Sequence, residues 1–286
     1  MQVAEGVHRL TGGVCNFYLI EDGGKLVLVD AGAPRDWDLL VKALASLGHG
    51  LQDLEAVLLT HAHSDHTGFA ERARTTAGAP VWIHQVDAAV AKGAKPGKND
   101  GKVRSYLPRV EFYRTLFSLA RRGATKLIPV REVSIFADGD TLEVPGRPRA
   151  VHAPGHTPGC AALLLEGRGV LLTGDVLATR NPLTGRVGPQ IMPSGLNRDT
   201  PQALRSLDVL GEVPANVTLI ESAFTTPEEA DTYKWWPGIA VGTDDLQEQI
   251  KELTEDIEER VRRLKSLRGP RMTSLSDSCR GGLLER

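Results

Sequence analysis

The chain has 286 residues, 41% of them hydrophobic and 24% charged, a mix that fits a globular protein of one large or two small domains and excludes a fibrous or mainly disordered one. Its net charge of -2 gives no overall bias toward a polyanionic partner. Every apolar stretch is broken well before the roughly 18 residues a membrane span needs, and residues 1–5 lack the basic start and apolar run of a secretion signal, so a cytoplasmic protein is expected.

From the N-terminus, residues 6–31 read as short strands joined by tight turns, a β-meander ending in Leu28-Val29-Asp30. Residues 36–47 carry apolar side chains at helical spacing up to Gly48. Residues 54–60 form an apolar run too short for a helix and suited to a buried strand, which delivers His61 to its end. A helix over 67–76 and a strand over 80–83 follow.

Residues 92–126 hold ten Lys/Arg against Asp100 and Glu111, net +8, so the rest of the chain sums to -10. Within this block 105–122 has helical spacing, with Pro108 in its first turn, one apolar side (Leu107, Val110, Tyr113, Leu116, Phe117, Ala120) and one basic side. It reads either as a lid offering cations and the aromatic rings of Tyr106 and Tyr113 to a substrate, or as a helix docked on the body.

Residues 133–173 return to short strands, 200–210 form a helix after Asp199, and 217–220 a last strand. Two β-rich halves separated by helices point to a sheet-on-sheet α/β sandwich with helices outside. The expected organisation is one domain over 1–225, an extension over 226–270, and a disordered tail over 271–286. The extension contains an amphipathic stripe at 243–268, which either packs on its own domain or pairs two copies as a homodimer. Cys15, Cys160 and Cys279, odd in number and never spaced C-x-x-C, suggest neither a disulfide framework nor a cysteine zinc site.

The segment Thr60-His61-Ala62-His63-Ser64-Asp65-His66-Thr67-Gly68 concentrates three of eight histidines and a carboxylate within six positions. Imidazole and carboxylate suit zinc, iron or manganese, and a strand end gives such ligands a rigid platform. His156 in Pro154-Gly155-His156-Thr157-Pro158-Gly159 and Asp175 in Leu172-Thr173-Gly174-Asp175 lie in later Gly-rich turns after strands. Together these motifs resemble the metallo-β-lactamase-fold hydrolases, a family that includes hydroxyacylglutathione hydrolases and lactonases, over about residues 5–220.

The resemblance implies an αββα sandwich of two mixed sheets with metals at one edge. It assigns His61, His63 and His156 to one zinc ion, Asp65 and His66 to a second, and Asp175 as the bridging carboxylate. It places Asp30 behind the site, orienting ligand histidines, where a simple turn cap is the other reading. The chain departs from the pattern at Leu219-Ile220-Glu221-Ser222, where the family usually supplies another histidine; either Glu221 substitutes, or the second site is weak or empty. His8, His49, His84 and His152 match no ligand position and read as structural, and Ser64 as a spacer.

The expected activity is hydrolysis of a small, anionic or neutral ester, thioester or lactone by metal-activated hydroxide, with Asp65 assisting proton movement. Other readings are an iron-dependent persulfide dioxygenase-like enzyme and a non-catalytic metal-binding scaffold. A nucleic-acid partner is not expected, given the acidic remainder.

Overall fold

The computed structural model describes residues 1–13 and 15–219. Glu221, the stripe at 243–268 with its proposed dimer, the tail at 271–286 and Cys279 lie outside the described residues.

Seven strands form the first sheet in sequence order: β1 (Gln2–Ala4), β2 (Val7–Thr11), β3 (Asn16–Asp22), β4 (Lys25–Val29), β5 (Leu54–Leu59), β6 (Val81–His84) and β7 (Ser134–Phe136). The first four pair antiparallel through tight turns, and β4 to β7 pair parallel. Parallel neighbours need long crossovers, and α1 (Trp37–Ser46), α2 (Ala70–Ala77), α3 (Ala88–Ala91) and α4 (Val110–Arg122) lie within them. The second sheet contains β8 (Arg149–His152), β9 (Ala161–Leu165), β10 (Val170–Leu172) and β13 (Val217–Leu219), ordered β13-β10-β9-β8 with β10 and β13 parallel. Between β10 and β13 run the hairpin β11 (Ala178–Arg180) and β12 (Val187–Gln190) and the helix α5 (Thr200–Gly211).

Side chains alternate across each strand, and this alternation builds the layers. Phe17, Leu19, Leu26, Leu28, Val57 and Leu59 face one way and bury Trp37, Leu40 and Leu44 of α1 with Phe69 and Ala73. Their neighbours Tyr18, Ile20, Val27, Val29, Ala56 and Leu58 face the other way, onto Ala161, Leu163, Leu165, Val170 and Leu172 of the second sheet. Ala162, Leu164 and Leu171 then point outward, against Leu207 and Leu210 of α5. Strands covered on both faces read as unbroken apolar runs, which is why β4, β5 and β9 have almost no polar residues. The result is the expected αββα sandwich. Phe69 meets Phe17 and Trp37 edge to face at 5.6 and 5.8 Å, pinning α1 and α2 to the sheet with about 0.5–1.5 kcal/mol per pair beyond buried area.

Several elements differ in detail from expectation. The helix expected at 67–76 starts at Ala70, because Thr67–Phe69 is used in the turn that carries the histidine loop back to the sheet. The helix expected at 105–122 is interrupted: residues 103–106 make a separate 3-10 turn, Arg109 is extended, and α4 begins only at Val110. Most of its apolar stripe is turned outward, with Val110 and Phe117 62% and 67% exposed, while Leu116 reaches the cavity described below. Polar anchors set that orientation: Thr115 donates to Pro182 O, Ser118 to Gly13 O, and Arg122 pairs with the fully buried Asp36. The strand β1 and the β11–β12 hairpin were not anticipated. Cys15 and Cys160 are buried and unpaired, and among the described residues no helix is long and apolar enough to cross a membrane.

Candidate metal centre

The histidine loop leaves the end of β5, the His156 loop joins β8 to β9, and Asp175 follows β10, so three strand ends from both sheets meet at one edge. Close main-chain approach makes this possible. A side chain at Gly68 would strike the Gly32 carbonyl at 2.3 Å, and one at Gly174, whose φ is +57°, would strike Thr60 at 2.8 Å.

Within the cleft, His61, His63, His156 and Asp175 each aim one ligand atom into a cluster in which all lie within 4.8 Å of one another. His61 Nε2 is 3.0 Å from His63 Nδ1, which is 2.8 Å from His156 Nε2, and His156 Nε2 is 3.3 Å from Asp175 Oδ2. The fourth histidine, His66, sits beside this group with Nε2 at 3.3 Å from the other Asp175 oxygen, Oδ1. Apart from this ion pair with each other, neither His66 Nε2 nor Asp175 Oδ1 has a hydrogen-bond partner, although both are buried. Asp65 lines the same cavity but is not part of the four-residue cluster; its carbonyl accepts the Cys15 thiol at 2.8 Å.

The tautomers of these rings follow from what stands behind them. Asp30, in a left-handed conformation at φ +58°, accepts the Thr60 amide at 2.9 Å, the Thr60 hydroxyl at 2.8 Å and His66 Nδ1 at 2.7 Å. Because the Thr60 proton goes to Asp30, the hydroxyl oxygen accepts from His61 Nδ1 at 3.0 Å, leaving a lone pair on His61 Nε2. Asn197 donates its amide to Met192 O, so its oxygen accepts from His156 Nδ1 at 3.2 Å and frees His156 Nε2 in the same way. Asp87 joins the two histidine-bearing loops. It accepts the Ala62 amide at 3.1 Å, the Thr157 hydroxyl at 2.7 Å and the Gly159 amide at 2.8 Å.

Burial, with help from neighbouring imidazoles, holds the pKa values of His61 and His63 well below the ordinary range; burial also lowers that of His156. Neutral rings with inward lone pairs are the state that binds a cation. Burial opposes a charge on His66, but the Asp175 and Asp30 carboxylates outweigh it and raise its pKa well above normal. Asp175 is held below the usual carboxylate range, burial being overcome by His66, whereas burial raises Asp65. Three neutral imidazoles and a buried carboxylate converging in one cleft fit a divalent metal ion.

A cavity of about 280 Å³ opens from this cluster. Its other walls are largely apolar: Val103, Phe112, Leu116 and Leu119 from one stretch of chain, Leu183, Met192 and Leu196 from another. Tyr106 and Tyr113 do not line it; Tyr106 lies against Gly195 and Tyr113 is 53% exposed, so Phe112 and Leu116 supply the wall instead. Lys95, Lys98 and Lys102 do not line it either; the cavity's cation is Arg198, which sequence reasoning missed along with Thr60, Asp87 and Asn197. The Ser64 hydroxyl donates to Ala124 O at 2.6 Å and ties the loop to the end of α4, and Ser64 also lines the cavity.

An αββα sandwich whose inter-sheet edge gathers imidazoles around a carboxylate defines a metal-binding protein of one class. A family model described as the metallo-beta-lactamase superfamily matches residues 10–221, and the chain belongs to that superfamily. The chain is 29% identical over 194 residues to "Probable metallo-hydrolase YflN" of Bacillus subtilis, a match covering 62% of this chain and 66% of that one. It is 35% identical over 160 residues to a hydroxyacylglutathione hydrolase of Anaeromyxobacter dehalogenans, covering 56% of this chain and 45% of the other. Among solved structures, a metallo-beta-lactamase family protein of Thermus thermophilus superposes with a TM-score of 0.63 and 27% identity, over 94% of this chain and 85% of that chain.

Proposed function

We propose that the chain is a metal-dependent hydrolase of a small ester, thioester or lactone. One observation carries the reading: Asp175 divides its two oxygens, Oδ2 to the cluster of His61, His63 and His156 and Oδ1 to His66 Nε2, which has no other partner. That division suits a site for two cations, of which one would be held by His61, His63, His156 and Asp175 and the other by His66, Asp65 and Asp175. Glu221 remains the proposed further ligand of the second. Nitrogen and oxygen donors in this proportion favour zinc. When bound, such an ion supplies Lewis acidity, which polarises a carbonyl and makes water a nucleophile at neutral pH.

The chain's own groups do the rest. Asp30 and Asn197 fix rings that would hold the cation, and Asp87 keeps the two histidine loops in register. The apolar walls exclude bulk water from an acyl group and orient its carbonyl toward the cluster. Asp65, half-buried in the cavity wall with a raised pKa, carries the proton from the attacking water to the leaving group. The likeness to a hydroxyacylglutathione hydrolase supports an acyl substrate.

The test is metal content and turnover on protein purified without chelator. One to two zinc ions per chain are expected, with ester, thioester or lactone hydrolysis that stops on chelation and returns with zinc. Substituting His61→Ala or His156→Ala should remove at least one ion and lower kcat/KM by 100-fold or more. Metal-free protein with undiminished hydrolysis would overturn the proposal, and iron with oxygen uptake in place of hydrolysis would redirect it to sulfur oxidation.

A further inference from the structure

Arg198 occupies an unusual position. Its main-chain amide donates to the carbonyls of Gly155 and His156 at 2.9 and 3.2 Å, which locks the residue beside a cluster histidine. Arg198 lines the cavity, and its guanidinium is braced through Nη1 by Gly97 O and Asn99 Oδ1. Both partners are neutral, and among the described residues no carboxylate comes within ion-pair distance of it. Half-buried cations without a counter-charge are costly, and here burial pulls the Arg198 pKa below normal, with only partial compensation from Asp87. A guanidinium has five N–H donors in a rigid fork, so bracing at Nη1 leaves Nη2 and Nε for a ligand.

On the reading of the cavity as a hydrolase site, we infer that Arg198 binds a carboxylate on the substrate, so that the enzyme prefers an acyl compound with a monoanionic end separated from the scissile carbonyl by an apolar chain. The walls supply the rest of the match: Phe112, Leu116 and Met192 add apolar surface to the cavity that the cluster residues His63, His156 and Asp175 also line. A single guanidinium in a cavity that also holds the Asp65 and Asp175 carboxylates balances one negative charge better than two, which favours a carboxylate over a phosphate dianion. The basic residues at 92, 95, 98, 102 and 104 do not line the cavity, so this preference belongs to Arg198 rather than to the basic block.

Matched substrates test this. The zinc-loaded wild type is assayed with p-nitrophenyl hexanoate and with the mono-p-nitrophenyl ester of adipic acid, which has the same chain length and a terminal carboxylate. The wild type should favour the anionic ester, and that preference should shrink at least threefold between 0.05 and 0.5 M NaCl. Arg198→Gln should raise KM for the anionic ester at least tenfold more than for the neutral one, and Arg198→Lys should fall between. Calorimetry of the monoanion adipamate against neutral hexanamide gives a readout independent of turnover: the wild type should bind adipamate at least tenfold tighter, and Arg198→Gln should erase the difference. If no ester is hydrolysed but adipamate binding depends on Arg198, the hydrolase reading fails and the anion site stands. Equal affinity of the wild type for adipamate and hexanamide, or equal effects of Arg198→Gln on both esters, would overturn the inference.

Discussion

Asp87 shows how one side chain can hold a site together without touching its contents. Its three accepted hydrogen bonds come from the loop of His61 and His63 at Ala62 and from the loop of His156 at Thr157 and Gly159. Replacing it by Asp87→Asn sets an amide donor against groups that are themselves donors. The expected cost is about 1–3 kcal/mol of stability, measured by urea unfolding, and a roughly 10–100-fold weaker metal affinity, measured by competition with a chelating dye. Wild-type affinity in a destabilised Asp87→Asn protein would reduce Asp87 to a structural residue. The histidines and Asp175 were legible in the sequence because their chemistry is concentrated in short motifs. Asp87, Asn197, Thr60 and Arg198 were not, since each acts across a tertiary gap of 25 or more residues or through a neighbour's ring. Asp87 left a faint signal: like Asp30 after β4, it is a carboxylate shortly after a buried strand.

At the scale of elements, buried strands were the most readable parts, because a strand covered on both faces has no room for polar residues. The short hairpin β11–β12 was opaque: three and four residues, with Arg180, Gly188 and Pro189 among them, make no pattern. In α4 the periodicity was right but its direction was not, since polar anchors rather than apolar burial orient the helix. Another polar anchor offers a test by pH. Glu71 on α2 receives two bonds from Arg74 and one from the Arg131 amide, and the Arg74 contact lowers its pKa. A carboxylate whose folded pKa lies below its unfolded value, about 4.3, stabilises fully above that value and loses its contribution as pH falls through the folded one. Glu71→Gln should therefore lower the urea midpoint at pH 7 by the equivalent of about 1 kcal/mol or less, with the gap closing as pH drops below 4. A gap that stays constant from pH 7 to 3.5 would show that charge plays no part.

For the whole molecule, the cluster closes only when both sheets are packed, because its members hang from β5 in one sheet and from β8, β9 and β10 in the other. An ion bound there holds the two sheets together. Binding to the native state alone adds about 2.7 kcal/mol at a free concentration 100 times Kd, and each kcal/mol moves Tm by about 2–4 °C in chains of this size. Chelation should thus lower Tm by roughly 5–10 °C, and scanning calorimetry before and after dialysis against EDTA measures it. An unchanged Tm would mean that the cluster binds no ion tightly.

The outward-turned stripe of α4 has a broader consequence. None of the three large apolar cores includes a residue of this helix, yet its positions 112, 115, 116 and 119 line part of the cavity beside the cluster. One wall of the cavity thus hangs on an appendage rather than on the packed body. Changes of side chain along that wall should reshape the hollow while both sheets and their layers stay as they are.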